Sequence, residues 1–566
     1  MRKTLLVSLF LFLAAGILSA KDIYVSAGAK SGDGNKNAPY NTISDALSTA
    51  FAGDVIHVSE GIYYGDGGGG LFLIKINNLT LAGGYNKDFS TRNPFKHKTI
   101  LMRGVGNKSD SFDECSGRDH KKWHSMTPTK ASYNGEAIVY GVGDHSNFIL
   151  DGFFIDGHTR QTYKKNGDLK TDIGPITSPL VSLKSPGVKV RNCVVLNSGG
   201  FGIRVAASGK KDDPASMVEI SNNIIVNTLM GALELRVGDF DPTNNPNGGL
   251  AVIKNNTIAF VWDWLGEGYG LLVGRQTKLT VEKNIFAFAN LTAINNGFQN
   301  KFLKLVENVF WNNMEGVYKY WSPESKLTLI EDNVNKFGGK LAEKLALSKK
   351  SEKNVAIDPK FAKIDKDFFE KFSNQIKSTG GGKVEWDSVN QWRSSMGLPL
   401  VGSKGTGNKN FAPIYELEDA VLISKESSIK GIGAQIDGPF EAYSSKTESV
   451  EKTYQDASFD SMLANSALDQ KDISVKVKIE GKGSSGDFWK KDAAPDSKYI
   501  CFKLGKYPNS SFVYVLKGSE ALKTIEEALK LKLEVKISGT AYSIKDTYKK
   551  DRVCIVADSA EMEEDE

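Results

Sequence analysis

One short pattern recurs through the middle of this chain and leaves few folds open to it. Two alternating apolar residues are followed by a polar step, an Asn and an apolar run. The pattern reads VKVRNCVVLN, VEISNNIIVN, AVIKNNTIAF, LTVEKNIFAF, KLVENVFWNN and LIEDNVNKF. The aligned asparagines are Asn192, Asn223, Asn256, Asn284, Asn308 and Asn333, spaced by 31, 33, 28, 24 and 25 residues. The apolar period is two, which is the period of a strand and not of a helix. A coil of three short strands needs roughly 22 residues or more, and longer repeats place the excess in loops. Stacked coils set like strands about 4.8 Å apart, so each backbone N–H and C=O pairs with the coil above or below. Asn tolerates the left-handed backbone of a sharp turn, and stacked Asn side chains can bond one another in a ladder. An antiparallel sandwich would need hairpin dipeptides, which are scarce across 180–335.

The entry to this region is KDIYVSAGAKSGDGNKNAPYNTISDALSTAFAGDVIHVSEGIYY. It resembles the N-terminal entry of bacterial β-helix proteins of the pectin-lyase-like superfamily. These have an extended strand, a Gly/Asn/Asp-rich turn, a Pro-x-x-Thr-Ile step and a short helix before a Gly-Asp-x-Ile strand. LTLAGGYNKDFSTRNP is similar to the rung that follows in such proteins, and AIDPKF and SSIKGIGAQIDG to the segments that close them. The resemblance covers about 21–440 and implies an all-β fold, a right-handed parallel β-helix. A helix at about Thr42 to Ala52 would cover the open end of the stack.

Around this solenoid the chain divides further. Residues 1–20 have Arg2 and Lys3, an apolar run from Leu5 to Leu18 and a small-residue step at Ser19-Ala20, the layout of a secretory signal peptide. No later segment reaches the roughly 18 apolar residues of a membrane span. A Lys-rich insertion at about 335–395 shows helical spacing in KLAEKLAL and KDFFEKFSNQI, and 441–470 reads as a polar linker. Residues 471–560 carry five strand patterns with TIEEALKLK between the third and fourth, which resembles a small OB-like β-barrel, followed by an acidic tail at 561–566. The net charge of +5 falls to +3 without Arg2 and Lys3, which excludes a dedicated nucleic-acid binder. The four cysteines are too few for a disulfide framework, although Cys501 and Cys554 share one domain and could pair in an oxidising compartment. The expected protein is exported, to the cell surface, periplasm or medium, and is a monomer.

The strand after each Asn turn is the one that lines the substrate cleft in pectin-lyase-like enzymes. Here it reads GFGIRV, GALELRV and GYGLLVGR. With Ile203, Val205, Leu233 and Leu235 turned inward by alternation, Arg204, Glu234 and Arg236 face out on adjacent rungs. Nearby stand Trp262, Asp263, Trp264, Glu267, Tyr269, Arg275 and Lys184. Aromatic faces stack on sugar rings, and Arg pairs bidentately with a uronate carboxylate. Lyase chemistry needs a cation to stabilise the developing enolate and a Lys or Arg as base. Lys184, twenty residues before Arg204, makes with it a pair similar to the Lys and Arg pair of alginate- and chondroitin-lyase enzymes, with Arg236 a further candidate to bind carboxylate or act as base, but Thr177 and Pro179 stand where acidic ligands would precede the Lys. The bland reading of Arg204, Glu234 and Arg236 is a surface ion-pair ladder.

Asp239 and Asp241, with Asn244 and Asn245, offer hard oxygens suited to Ca²⁺, and Cys115, His120 and His124 offer a Zn²⁺ set, neither in a strict motif. Two functions stand. One is a secreted polysaccharide-binding protein, a lyase or glycoside hydrolase acting on acidic, uronate-containing glycan if it is an enzyme. The other is a non-catalytic surface, matrix or adhesion protein.

Overall fold

One coil shows how the sequence builds the rest. In Lys189–Arg191, Val190 points into the core while Lys189 and Arg191 stay half-buried outside. Asn192 then turns the chain in the left-handed conformation (φ 54°). Val194–Ser198 sets off in a new direction, with Val195 in the core and Val194 and Leu196 on the outer side. Repeated, such coils stack as a right-handed parallel β-helix. The computed structural model describes residues 20–30, 32–65, 71–103, 137–157, 164–165, 173–174, 179–210, 212–237, 249–263, 266–274, 277–298, 300–321, 326–329, 351–378, 386–400, 417–445, 454–463, 468–483, 499–505, 511–517, 519–545 and 551–562. The expected leader at 1–20, apart from Ala20, and the Cys115–His124 loop lie outside them, as do Asn333 and KLAEKLAL.

Two compact units result, Lys21–Ser445 and Lys446–Glu566. In the first, one sheet holds nine parallel strands from Asp22–Val25 to Leu303–Val306. The second and third sheets are joined by Ile224–Val237, a single strand that belongs to both. The coil interior is one continuous apolar cluster from Ile23 to Tyr320. Helix α1 (Ile43–Thr49) packs Ile43 and Ala46 onto that cluster at its first rung. Its N-cap Thr42 accepts a 3.0 Å bond from the Asp45 N–H.

The Asn ladder is real but is displaced by one residue at its start. Asn223, Asn256, Asn284 and Asn308 are buried in one line. Each Nδ2 donates to the next Oδ1 at 2.9–3.0 Å, and the last partner is Asn354. Each Oδ1 also accepts the backbone N–H of the residue one rung back, beginning with Cys193 at 2.9 Å. Cys193, not Asn192, therefore holds the first position. Asn192 belongs to the neighbouring line of left-handed residues, with Asn222 and Asn255 (φ 53–55°). In that outer line Asn222 Nδ2 donates to Asn192 Oδ1 at 2.7 Å, and Asn192 Nδ2 to Asp151 Oδ1 at 2.8 Å. Two jobs that were assigned to one Asn fall to two adjacent residues.

Helices α2 (Lys366–Ser378) and α3 (Trp386–Ser395) cover the outer side of the second sheet. Phe369, Phe372 and Trp392 bury Phe260, Trp262 and Phe288 there. Beyond them the chain returns along the line of left-handed asparagines. Asn255 Nδ2 donates to Gly431 O at 2.8 Å, and Asn222 Nδ2 to Gln435 O at 3.0 Å. Tyr443 donates to the buried Asp151 Oδ2 at 2.6 Å, and the Ser445 N–H to Asp22 Oδ1 at 2.8 Å. Residues 431–445 thus form a strap that runs back from the later rungs to the first.

The strap corrects one boundary: the polar span 441–470 is not all linker. Glu441 and Tyr443 bond Arg191 on the coil, and Gln455–Ala457 pairs with the first strand of the C-terminal unit. That unit is a closed five-stranded barrel of the expected OB-like kind. Asp472–Lys482, Tyr499–Leu504 and Ser511–Leu516 run as antiparallel neighbours. Ser511–Leu516 pairs in parallel with Asp551–Met562, and Glu534–Lys545 closes the ring between Asp551–Met562 and Asp472–Lys482. Helix α4 (Glu520–Leu531) connects the third and fourth strands in sequence. Cys501 and Cys554 remain thiols. The strand Ser511–Leu516 lies between theirs, two strand spacings or about 9–10 Å, beyond the reach of a disulfide.

Candidate functional site

The outer side of the third sheet is where the sequence-nominated residues meet. Its registers place Ser182, Arg204, Glu234, Leu272, Asn295 and Lys319 in one line along the coil. Ile203, Val205, Leu233 and Leu235 are buried inside, as alternation predicts. Glu234 is nearly buried at 6% exposure and binds two guanidinium groups. Arg204 Nε donates to its Oε2, and Arg236 Nε to its Oε1 at 2.7 Å. Arg204 also lies over the Phe201 ring, 5.6 Å from its centroid. The Arg236 side chain, held only through Nε in this network, is 56% exposed. One buried carboxylate fixes both cations without consuming the outer edge of Arg236.

Glu267 stands beside this network. Burial first, then the like charge of Glu234, hold its carboxyl above the usual 4.5, with Arg204 and Arg236 opposing. Tyr269 is buried, and its hydroxyl donates to Gly266 O at 3.0 Å. Burial and the nearby Glu315 push it up to about 12. Lys319 is bound between the Tyr269 hydroxyl and Glu315, each at 3.5 Å.

Other nominated residues lie elsewhere. Trp262 is not a sugar platform: it is 1% exposed, donates from Nε1 to Asn227 Oδ1 at 2.8 Å and packs on Trp392 and Phe372. The left-handed Phe260 (φ 56°) adds one outward residue to its strand, which reverses the alternation and turns Trp262 under the helices. Asp263 is also buried, and its Oδ1 accepts the Gly266 N–H at 2.9 Å in a tight turn. Trp264, Arg275, Asp239 and Asp241 lie outside the described residues. Among the described residues no group of three or more His, Cys, Asp or Glu could hold a metal ion.

Lys184 is exposed on the same side, and by extension of the register it falls in line with Ala206 and Arg236. What holds it was not read from the sequence. His145, buried one rung earlier, accepts at Nε2 from the Lys184 N–H (3.0 Å) and the Ser185 N–H (3.3 Å). Its Nδ1 lies 3.0 Å from Gly143 O, so the ring is the neutral Nδ1–H tautomer. Gly141 makes room for it, because a Cβ there would lie 2.2 Å from Nε2. The signal was GVGDHS, a His flanked by small residues just after a strand. Lys319 and Glu315 were also missed; counting the register one rung past Asn295 finds Lys319.

No family model matches the chain, and no curated protein does. Among solved structures it is similar to the pectate lyase Pel9A, at 10% identity over 76% of this chain and 95% of that one, with a TM-score of 0.32. A rhamnogalacturonan lyase is similar at 11% identity over 62% and 92%, with a TM-score of 0.31. The pectin methylesterase PemA from Erwinia chrysanthemi is similar at 14% over 54% and 82%, with a TM-score of 0.23. The fold is a right-handed parallel β-helix. The chemistry of the outer face is read from its own residues. No helix among the described residues is long and apolar enough to cross a membrane.

Proposed function

We propose that the outer face of the third sheet binds a polysaccharide that carries carboxylate groups, with Arg236 as the carboxylate ligand. The observation that carries this reading is the Arg204–Glu234–Arg236 network. It holds a half-exposed guanidinium in one orientation, which lowers the ordering cost of a bidentate pair with a uronate. The second sheet is unsuited to the task because helices α2 and α3 bury it. Lys184 is the candidate base for β-elimination, in the Arg236 line. Calcium, if used, would fall to Asp239 and Asp241. A leader at 1–20 would deliver the protein to the compartment where such polymers occur.

The test is binding of purified protein to a panel of acidic and neutral polysaccharides, with and without Ca²⁺, together with absorbance of unsaturated products. Arg236→Ala is expected to weaken binding to uronate polymers about tenfold at low salt, corresponding to about 1.4 kcal/mol. The difference should shrink as salt rises, and neutral polymers should be unaffected. Unsaturated product that depends on Lys184 makes the face a lyase site; binding without product makes it a non-catalytic glycan site. Equal affinity of Arg236→Ala and wild type for every acidic polymer overturns the reading.

A further inference from the structure

The line of outward residues that carries Arg204 and Glu234 continues toward the earlier rungs, and an aromatic side chain stands on it there. The ladders pair Glu234 with Arg204, Arg204 with Ser182 and Ser182 with Tyr140 of the strand Val139–Gly141. Alternation fixes the direction of each. Val139, Val181, Leu183, Ile203 and Val205 all belong to the coil interior, so Tyr140, Ser182 and Arg204 between them point to the outer face. Gly141, the other neighbour of Tyr140, pairs with the interior Ile74. Burial agrees: Val139 and Gly141 are buried and Tyr140 is partly exposed. Other tyrosines of the coil unit use their hydroxyls within the fold, as Tyr63 does in donating to Ser59 O at 3.0 Å and Tyr318 in accepting from Asn296 Nδ2 at 2.8 Å. Among the described residues no such bond ties Tyr140.

Position relates this ring to the cations. Tyr140 is two rungs from Arg204 and three from the rung that holds Glu234 and Arg236, about 9–10 Å and about 14–15 Å along the coil axis. A short run of linked sugar rings can span such a distance. Ser182, between Tyr140 and Arg204, is too short a side chain to separate them. We infer that Tyr140 is a stacking subsite for the same glycan whose carboxylate Arg236 binds, so that the polymer lies along the coil axis. This inference rests on the proposed binding of acidic polysaccharide. It adds a direction, a minimum length and an aromatic subsite, and it brings the polymer across the rung of Lys184, which lies between the two anchors. The apolar C–H face of a pyranose meets an aromatic ring as other apolar surfaces do, while the carboxylate of a sugar further along stays with the guanidinium.

The experiment compares a uronate disaccharide with a uronate hexasaccharide on wild type, Tyr140→Ala, Tyr140→Leu, Tyr140→Phe and Arg236→Ala, with melting temperature and oligomeric state followed throughout. Tyr140→Ala and Tyr140→Leu should bind the hexasaccharide about two- to tenfold more weakly, equally at low and high salt. Both should bind the disaccharide, which is too short to reach from Arg236 to Tyr140, as wild type does. Tyr140→Phe keeps the ring and should keep the affinity. Tyr140→Leu keeps the apolar cover of the strand and should melt with wild type. Unchanged hexasaccharide affinity in Tyr140→Ala and Tyr140→Leu, with Arg236→Ala still weakened, overturns the subsite and leaves the carboxylate site standing. If Arg236→Ala is silent on both oligosaccharides, that site fails and the subsite with it. An equal loss on disaccharide and hexasaccharide in the Tyr140 variants overturns the axial span. A change of oligomeric state without a loss of glycan affinity would make Tyr140 a contact between copies of this chain, and overturns the inference.

Discussion

At Asn256 one side chain occupies four neighbours. Its amide donates to Asn284 Oδ1, Ile220 O and Lys254 O, and its oxygen accepts from Asn223. Leucine there would leave a backbone N–H and the facing amides buried without partners, each costing about 1–3 kcal/mol. Asn256→Leu should therefore lower stability in chemical denaturation by at least that amount. Asn192→Gly should cost far less, because glycine adopts its left-handed conformation freely; equal losses would mean that the two lines share one role. The buried histidines supply a second prediction. Burial holds both His145 and His57 below their ordinary 6.5; Asp144 opposes this at His145 and Lys184 adds to it. At His57, Asp22 opposes burial, while Arg92 and Lys36 add to it. The unfolded chain then binds protons that the folded chain refuses, so stability is complete above about 6.5 and falls as pH drops through the window below it. Denaturation midpoints should fall between about pH 7 and 5, and His145→Gln, which keeps an acceptor, should flatten part of that slope.

Among the elements, the second sheet shows best where sequence reasoning holds and where it stops. Strand period and turn spacing were legible because every coil must place Val, Ile or Leu inside at alternate residues, as in Lys189–Arg191 and Val218–Ser221. The capping helix at Ile43–Thr49 and the helical spacing of Lys366–Ser378 were legible for the same local reason. What was not legible is parity beyond a left-handed residue. Phe260 and Phe288 each add one outward position, so the pattern of their strands does not show that Trp262 ends a second-sheet strand under the helices and stands apart from the face that carries Arg236. Their stacked rings, 4.7 Å apart, also need the helices to cover them, and that cover comes from more than 75 residues downstream. Trp262→Ala should accordingly cost about 3–5 kcal/mol in stability and leave affinity for uronate polymers unchanged. A loss of affinity at unchanged melting temperature would return Trp262 to the binding face. The Arg204–Glu234–Arg236 face was legible because no left-handed residue interrupts the alternation there.

For the molecule as a whole, the coil unit was legible from its repeat, and so was the barrel from its order of strands and helix. The closing segment was recognised only by resemblance, since nothing in SSIKGIGAQIDG states which rungs it will touch. That segment changes how the coil unit comes apart. A bare stack has contacts only between neighbours, so it can melt inward from either end, one coil at a time. The strap joins Ser445 to Asp22, positions 423 residues apart, and fastens intermediate rungs at Asp151, Asn222 and Asn255. Closing so long a loop is costly until most rungs exist, which makes the strap a late event in folding. Once closed, it ties the earliest rung to the last-made segment of the unit. The first coil can no longer fray without loosening a lace that also grips the middle of the stack. A chain built from local steps thereby gains the all-or-none opening of a protein with long-range contacts.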